Sequence, residues 1–184
     1  MQNVEWLLLA IVIGICLSML AAHALTGVPT MAAGRAEMAD IVDLFRQAGL
    51  PPGAVIYDLG CGWGTQLLAL AQAFPAAHIR GIELSPFPWL VAKVRTRHLS
   101  NVTVTRRNFL KADLRDARAI TCYLMPGAMP KLAARLDAQI EPGTPVVALA
   151  FWFRDRQATA SRNGPGLRGA AALYVWPAPR APAI

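Results

Sequence analysis

The chain is poor in cysteine, in acidic residues and in charge generally: three Cys, eleven Asp and Glu together, and 16% charged residues in 184. Cys16, Cys61 and Cys122 are an odd set without metal-ligand spacing, two of them inside apolar runs. That argues against a disulfide framework and against a metal site, and it fits a reducing compartment. No His lies near Cys61 in sequence, so a paired thiol nucleophile is not expected there. No Lys or Arg precedes the first apolar run, and Glu5 stands there instead. A cleaved signal peptide wants a positive leading region, so that reading of Ala22-His23-Ala24 as a cleavage site is disfavoured. There is no internal repeat. What is abundant is apolar residue, 55% of the chain, together with a formal charge of +7. The combination points to contact with a membrane, whereas the basic charge alone fits a nucleic acid or a solvated surface equally well. At this length the chain has room for one domain with a sizeable core, plus an appendage.

From Trp6 to Leu25 the sequence is almost purely apolar. About twenty such residues at about 1.5 Å each cross a bilayer core of about 30 Å, so a transmembrane helix is expected within residues 1–27. Arg35 and Arg46 on its C-terminal flank, against no basic residue ahead of it, place the following domain in the cytoplasm. Residues 28–52 read as a linker and lead-in helix: Met38, Ile41, Val42, Leu44 and Phe45 form one helical face, with Gly49 and Pro51-Pro52 as its stop.

Past Gly53 strand and helix patterns alternate. Val55 to Leu59, His78 to Leu84, Val102 to Thr105, Ala119 to Leu124 and Thr144 to Phe153 read as strands, with helices over Gln66–Phe74, Trp89–Leu99 and Pro130–Ile140 between them. Arg154 to Arg168 reads as a loop, Ala171 to Trp176 as a final strand and residues 177–184 as a Pro-rich tail. The expected fold is α/β, a Rossmann-like doubly wound and mostly parallel sheet over residues 53–176.

The chemistry concentrates in Val55-Ile56-Tyr57-Asp58-Leu59-Gly60-Cys61-Gly62-Trp63-Gly64-Thr65. Glycines at 60, 62 and 64 let a backbone turn sharply and approach a ligand, and the helix start beyond them presents unpaired N–H groups. Glu83, closing the next strand, is placed to accept from the two hydroxyls of a ribose. The acid before alternating glycines is not the dinucleotide G-x-G-x-x-G spacing. A carboxylate there repels a pyrophosphate but suits an ammonium, so a nicotinamide oxidoreductase is the least favoured reading.

In these residues the sequence resembles the class I, seven-strand S-adenosylmethionine-dependent methyltransferases. VIYDLGCGWGT looks like the first motif of that family, GIELSP the second, and NVTVTRRNFLKADL the third strand with its adenine-contacting turn. AITCYLMPGAMPKLAARLDAQIEPGTPVVALAFWF is similar to a narrower group: small membrane-anchored enzymes related to the lysine methyltransferases of the ATP synthase c subunit and the adenine nucleotide translocase. The resemblance implies S-adenosylmethionine as cofactor, S-adenosylhomocysteine as product, and a binding set of Asp58, Gly60, Cys61, Gly62, Gly64, Glu83, Leu84, Asn108, Phe109 and Tyr123. It also implies Tyr123 and Pro126, of the Tyr-Leu-x-Pro turn, at the reaction centre. Asn108 stands where the family usually has Asp, and Trp63 where the wider group often has an acid.

The activity so implied is methylation of a protein lysine, in a small membrane protein or another protein, by a single-pass membrane enzyme facing the cytoplasm, with no nucleic-acid partner. A lipid or small hydrophobic acceptor is the alternative, and a non-catalytic membrane-tethered S-adenosylmethionine-binding protein the third reading. Trp63, Phe87, Trp89 and Trp152 are lesser candidates beside Tyr123 for an aromatic wall around a methylammonium. Taken one by one, Trp89 and Trp152 read as core, Cys61 as a small filler, and His78 and His98 as surface. Lys93, Arg95, Arg97, Arg106 and Arg107 read as a solvated face, with anionic headgroups the next candidate.

Overall fold

A computed structural model describes residues 2–26, 34–162 and 170–180, and side chains of the first helix for residues 4–17. That helix, α1 (Gln2–Thr26), is followed by α2 (Arg35–Ala48), β1 (Val55–Leu59), α3 (Thr65–Ala73), β2 (His78–Glu83), α4 (Pro86–Thr96) and β3 (Val102–Arg106). A short 3-10 turn (Phe109–Lys111) leads to β4 (Ala119–Cys122), α5 (Met129–Gln139), β5 (Thr144–Leu149), β6 (Ala160–Arg162) and β7 (Ala171–Trp176). Of the expected loop Arg154–Arg168, Ala160–Arg162 instead form β6 by pairing with β7, while loop residues 163–168, linker residues 28–33 and the end of the expected tail, 181–184, lie outside the described residues.

The strands form one seven-stranded sheet in the order β3-β2-β1-β4-β5-β7-β6. Its first five strands are parallel, while β7 runs antiparallel to β5 and to β6. The sheet is therefore mixed. Parallel central strands covered on both faces read as continuous apolar runs, and β4 and β5 are buried at every position. Pleating sends alternate residues to opposite faces. Ile56, Ile79, Ala119 and Val147 pack with Ile41, Leu44 and Phe45 of α2 and Leu67 and Leu70 of α3. Tyr57, Leu59, Ile120 and Val146 pack on the other face with Leu132 and Leu136 of α5. α2 is thus a full member of one helical layer.

Three boundaries differ from expectation for local reasons. β5 ends at Leu149 rather than Phe153 because Ala150 has φ 61°, a left-handed conformation that turns the chain out of the sheet. β4 ends at Cys122, ahead of the turn that carries Tyr123. α4 starts earlier than its periodic residues suggest, with Pro86 in its first turn where a missing N–H costs nothing.

The described side chains of α1 are almost all exposed, among them Trp6, Leu7, Leu8, Ile11 and Val12. They end at Leu17. Among the described residues no helix is long and apolar enough to cross a membrane, so the expected transmembrane span over Trp6–Leu25 is not found there.

Candidate functional site at the glycine loop

The site is built at the carboxyl ends of β1 and β2. Asp58, Gly81 and Thr121 are register partners on neighbouring strands, so they stand side by side on one face of the sheet. Gly81 is there because a Cβ would come within 2.7 Å of Leu67 Cδ1 and 2.9 Å of Cys61 Sγ. Cys61 fills the space under the loop and is buried, as a small filler is expected to be.

The loop is held by its own backbone and by Glu83. Gly60 N and Cys61 N donate to Ile82 O at 2.8 and 3.1 Å, and Gly64 N donates to Cys61 O at 2.9 Å. Gly62 N donates to one Glu83 carboxylate oxygen at 2.9 Å, and Ser85 N to the other at 2.7 Å. Glu83 therefore ties the glycine loop to the start of α4. Each of its oxygens has one partner and retains a free lone pair.

Asp58 has none. Its carboxylate is 1% exposed and neither oxygen finds a hydrogen-bond partner among the described residues. Burial, and secondarily the nearby Glu83 carboxylate, push its pKa up to about 8. A buried acid without a partner is costly unless something meets it, and here a cation would. The same burial, aided by Asp58 and Glu83, raises Cys61 well above the usual thiol value, and Cys122 is pushed up to about 12. Both thiols stay protonated, so neither is a nucleophile.

Gly64 opens α3 with φ +80°, and a Cβ there would lie 3.0 Å from Ala92 Cβ and 3.1 Å from Ala92 Cα. The close approach of α3 to α4 thus depends on it. Gly64→Ala is expected to lower stability by about 1–3 kcal/mol, read as a lowered thermal midpoint. Gly62→Ala, with φ +51° and the nearest atom 4.0 Å away, should cost only the backbone strain of about 1 kcal/mol. Equal losses in the two variants would refute the packing role of Gly64.

The other expected site residues divide. Leu84 is half-buried and its carbonyl accepts from Arg106 Nε at 3.4 Å. Asn108 caps the 3-10 turn, its Oδ1 accepting from Leu110 N at 2.9 Å, so that oxygen has only one lone pair left for an adenine amino group. Phe109 is buried in the core face that contains Ile82. Tyr123 is half-buried against the opposite face. Pro126 lines a cleft of about 340 Å³ with Met129, Pro130, Trp152, Phe153, Arg154 and Asp155, and no glycine-loop residue reaches it.

The aromatic candidates do not form a single wall. Trp63 meets Phe87 edge-on, with centroids 5.6 Å apart, while Trp89 donates its indole N–H to Val104 O at 3.3 Å. Trp152 belongs to the Pro126 cleft.

Four contributors are not assigned to the site by the sequence, Arg95 being read there as part of a solvated face. Thr121 Oγ1 donates to Gln66 Oε1 at 3.1 Å beside Asp58, both residues buried. Leu124 reaches under Gly60, where a Cβ would meet its Cδ2 at 2.8 Å. Arg95 donates to Trp63 O at 2.7 Å and fixes the outer edge of the loop. The single available sign was Gln66, a polar residue opening an apolar helix.

Residues 58–160 match the ANTKMT methyltransferase domain. A protein-lysine N-methyltransferase of Saccharolobus islandicus is 26% identical over 103 residues, 54% of this chain and 64% of that protein. The adenine nucleotide translocase lysine N-methyltransferase of Mus musculus is 30% identical over 131 residues, 67% of this chain and 53% of that one. The chain thus spans less than two thirds of the length of either relative. Among solved structures, an RNA methyltransferase from Salinibacter ruber in complex with S-adenosyl-L-homocysteine aligns with a TM-score of 0.68 at 25% identity, over 78% of this chain and 92% of that one. The partnerless acid, the glycine loop and the Glu83 carboxylate beside it fit that cofactor class, and with more than half of its length matched the chain belongs to the ANTKMT methyltransferase domain family, of the S-adenosylmethionine-dependent class I fold.

Proposed function

We propose that this chain methylates a lysine side chain of a protein, using S-adenosylmethionine, from a membrane to which α1 holds it with the domain on the cytoplasmic side. The observation that carries the cofactor half of this reading is Asp58, a buried carboxylate with both oxygens partnerless beside the glycine loop. When bound, S-adenosylmethionine supplies an electrophilic methyl group on a sulfonium. Asp58 would hold the ammonium of its amino-acid end, Glu83 the ribose hydroxyls through its free lone pairs, and the loop backbone would approach without a Cβ in the way.

The lysine half is supported by the two relatives named as lysine methyltransferases and by the Pro126 cleft. That cleft lies beyond the carboxyl ends of β4 and β5 and has the volume of a small-ligand site. Its floor of Pro126, Met129, Pro130, Trp152 and Phe153 suits the methylene stem of a lysine, with the amine held near the rim carboxylate of Asp155. The Asp155 carboxylate would draw in the charged ammonium; before transfer the amine must give its proton, from a reference pKa of about 10.4, to water at the exposed rim, and the apolar lining favours that loss. The same apolar lining supports a second reading, a lipid or small hydrophobic acceptor.

The apolar run from Trp6 to Leu25 and the exposure of the described α1 side chains support the anchor, and a small membrane protein is the acceptor such an anchor would serve. Incubating the full chain with radiolabelled S-adenosylmethionine and membrane fractions tests the reading. Label is expected in protein and to vanish when lysines are chemically blocked beforehand. Label in the lipid extract would replace lysine by lipid, and label in neither would leave a non-catalytic binding protein.

A further inference from the structure

Between Glu83 and Asp113 the sequence carries Lys93, Arg95, Arg97, Arg106, Arg107 and Lys111 and not a single acid. These six cations account for most of a chain-wide excess of +7. They fall on α4, on the edge strand β3 and on the turn after it, at one end of the sheet. All six are exposed, and none forms an ion pair among the described residues. With no ion pair to neutralise them among the described residues, they present one field to whatever lies outside.

What separates this face from an ordinary solvated one is the apolar residues set between its charges. Leu90, Lys93 and Val94 of α4 and Arg97, which caps it in helical conformation, are spaced i, i+3, i+4, i+7 and share one side. Leu90 and Val94 are each 49% exposed. A helix side that mixes aliphatic side chains with cations is what an anionic membrane surface binds, apolar groups entering the headgroup boundary and each nearby cation adding about 1 kcal/mol. A single-stranded nucleic acid would instead want free aromatic faces among the cations. Both aromatic rings on this helix are engaged: Phe87 meets Trp63 edge-on, and Trp89 donates to Val104 O and carries the Lys93 ammonium 5.3 Å from its centroid. The face is also continuous with α1, which packs against α4.

We infer that the α4–β3 face lies on an anionic lipid leaflet, with Leu90 and Val94 at the headgroup boundary and Lys93, Arg97, Arg106 and Arg107 among the lipid phosphates. Because Arg95 of the same helix holds Trp63 O, the outer edge of the glycine loop is then fixed close to the bilayer surface. The inference does not depend on which acceptor takes the methyl group.

The three lysines of the chain supply the test. Lys93 lies on the proposed face, whereas Lys131 is exposed on α5, whose buried side packs on the opposite face of the sheet. The full chain is reconstituted in nanodiscs of phosphatidylcholine alone, or with about one third phosphatidylglycerol, and acylated with a water-soluble lysine reagent. Labelling is read by mass spectrometry as the ratio of Lys93 to Lys131. The ratio is expected to fall about fivefold or more in the anionic discs. It should recover at about 1 M salt, where the screening length is about 3 Å. Leu90→Gln combined with Arg97→Gln should restore Lys93 labelling in anionic discs without changing Lys131. A ratio indifferent to lipid charge, whether high or low, overturns the inference. So does stronger protection of Lys93 by single-stranded RNA than by anionic discs at one ionic strength.

Discussion

Asp58→Asn is expected to weaken S-adenosylmethionine binding about a hundredfold or more and, in the free protein, to raise stability at neutral and alkaline pH. The two effects have one cause. Removing one partner of a buried charge pair costs about 2–5 kcal/mol of binding, and Asp58 is buried and without any other partner. In the absence of ligand that same carboxylate is a liability, with its pKa raised from 3.8 to about 8, chiefly by burial. Between those values the unfolded chain has released the proton and the folded chain keeps it. The unfolded state therefore binds fewer protons, and stability falls as pH rises from about 3.8 to about 8, by up to about 1.36 kcal/mol per unit. The Asn variant has no such slope. Binding has the opposite sign: an ammonium needs the ionised acid, so wild-type affinity should rise by up to tenfold per pH unit below about 8 and release a proton. Titration calorimetry in buffers of different ionisation enthalpy reads that proton directly. Neither thiol beside the site competes in this window, since burial holds both well above it. Proton-free binding at pH 7, or an Asn variant that binds like wild type, would mean that the ammonium is not held by Asp58.

Much of the sheet was legible because its interior strands are short apolar runs bounded by Gly, Pro or charge. Burial on both faces removes the polar alternation, so it is their shortness and flanking residues that tell them from buried helices. The glycine loop was legible for a different reason: its chemistry is carried by residue types whose spacing constrains the backbone directly. What stayed hidden depends on neighbours remote in sequence. β6 is three residues long, Ala160–Arg162, and exists only because β7 offers it an edge, so nothing in Ala-Ser-Arg announces it. The end of β5 rests on one left-handed alanine, a residue with no intrinsic preference for that conformation. The Thr121–Gln66 bond joins positions 55 residues apart, and Leu124 acts only through the space that Gly60 leaves for it. Pro126, placed by motif at the reaction centre, belongs to a cleft whose other walls come from the start of α5 and from the segment after β5. The segment after β5 is remote in sequence from that motif, so the motif does not encode the cleft.

Glu83 links the two halves of the site, and its substitution should change both the loop and Asp58. In Glu83→Ala the N–H groups of Gly62 and Ser85 lose their acceptors at once. An unsatisfied buried donor costs about 1–3 kcal/mol, so two predict a thermal midpoint lowered by several degrees even before ligand is added. Cofactor affinity should fall about a hundredfold or more, because the ribose loses its acceptor while the loop that approaches it loses its tie. Glu83→Gln separates these effects. The amide keeps one acceptor for one of the two N–H groups, so the fold is expected to survive better, but the negative charge that helps to raise Asp58 is gone. The Asp58 carboxyl should then ionise at lower pH, though still above 3.8 because burial is the larger cause. The observable is the pH at which affinity stops rising: about 8 in wild type, and displaced to lower pH in Glu83→Gln. Curves that differ only in height, with the same break, would show that Glu83 acts on the ligand alone. A displaced break would establish that Glu83, the proposed ribose acceptor, also sets the charge state of Asp58.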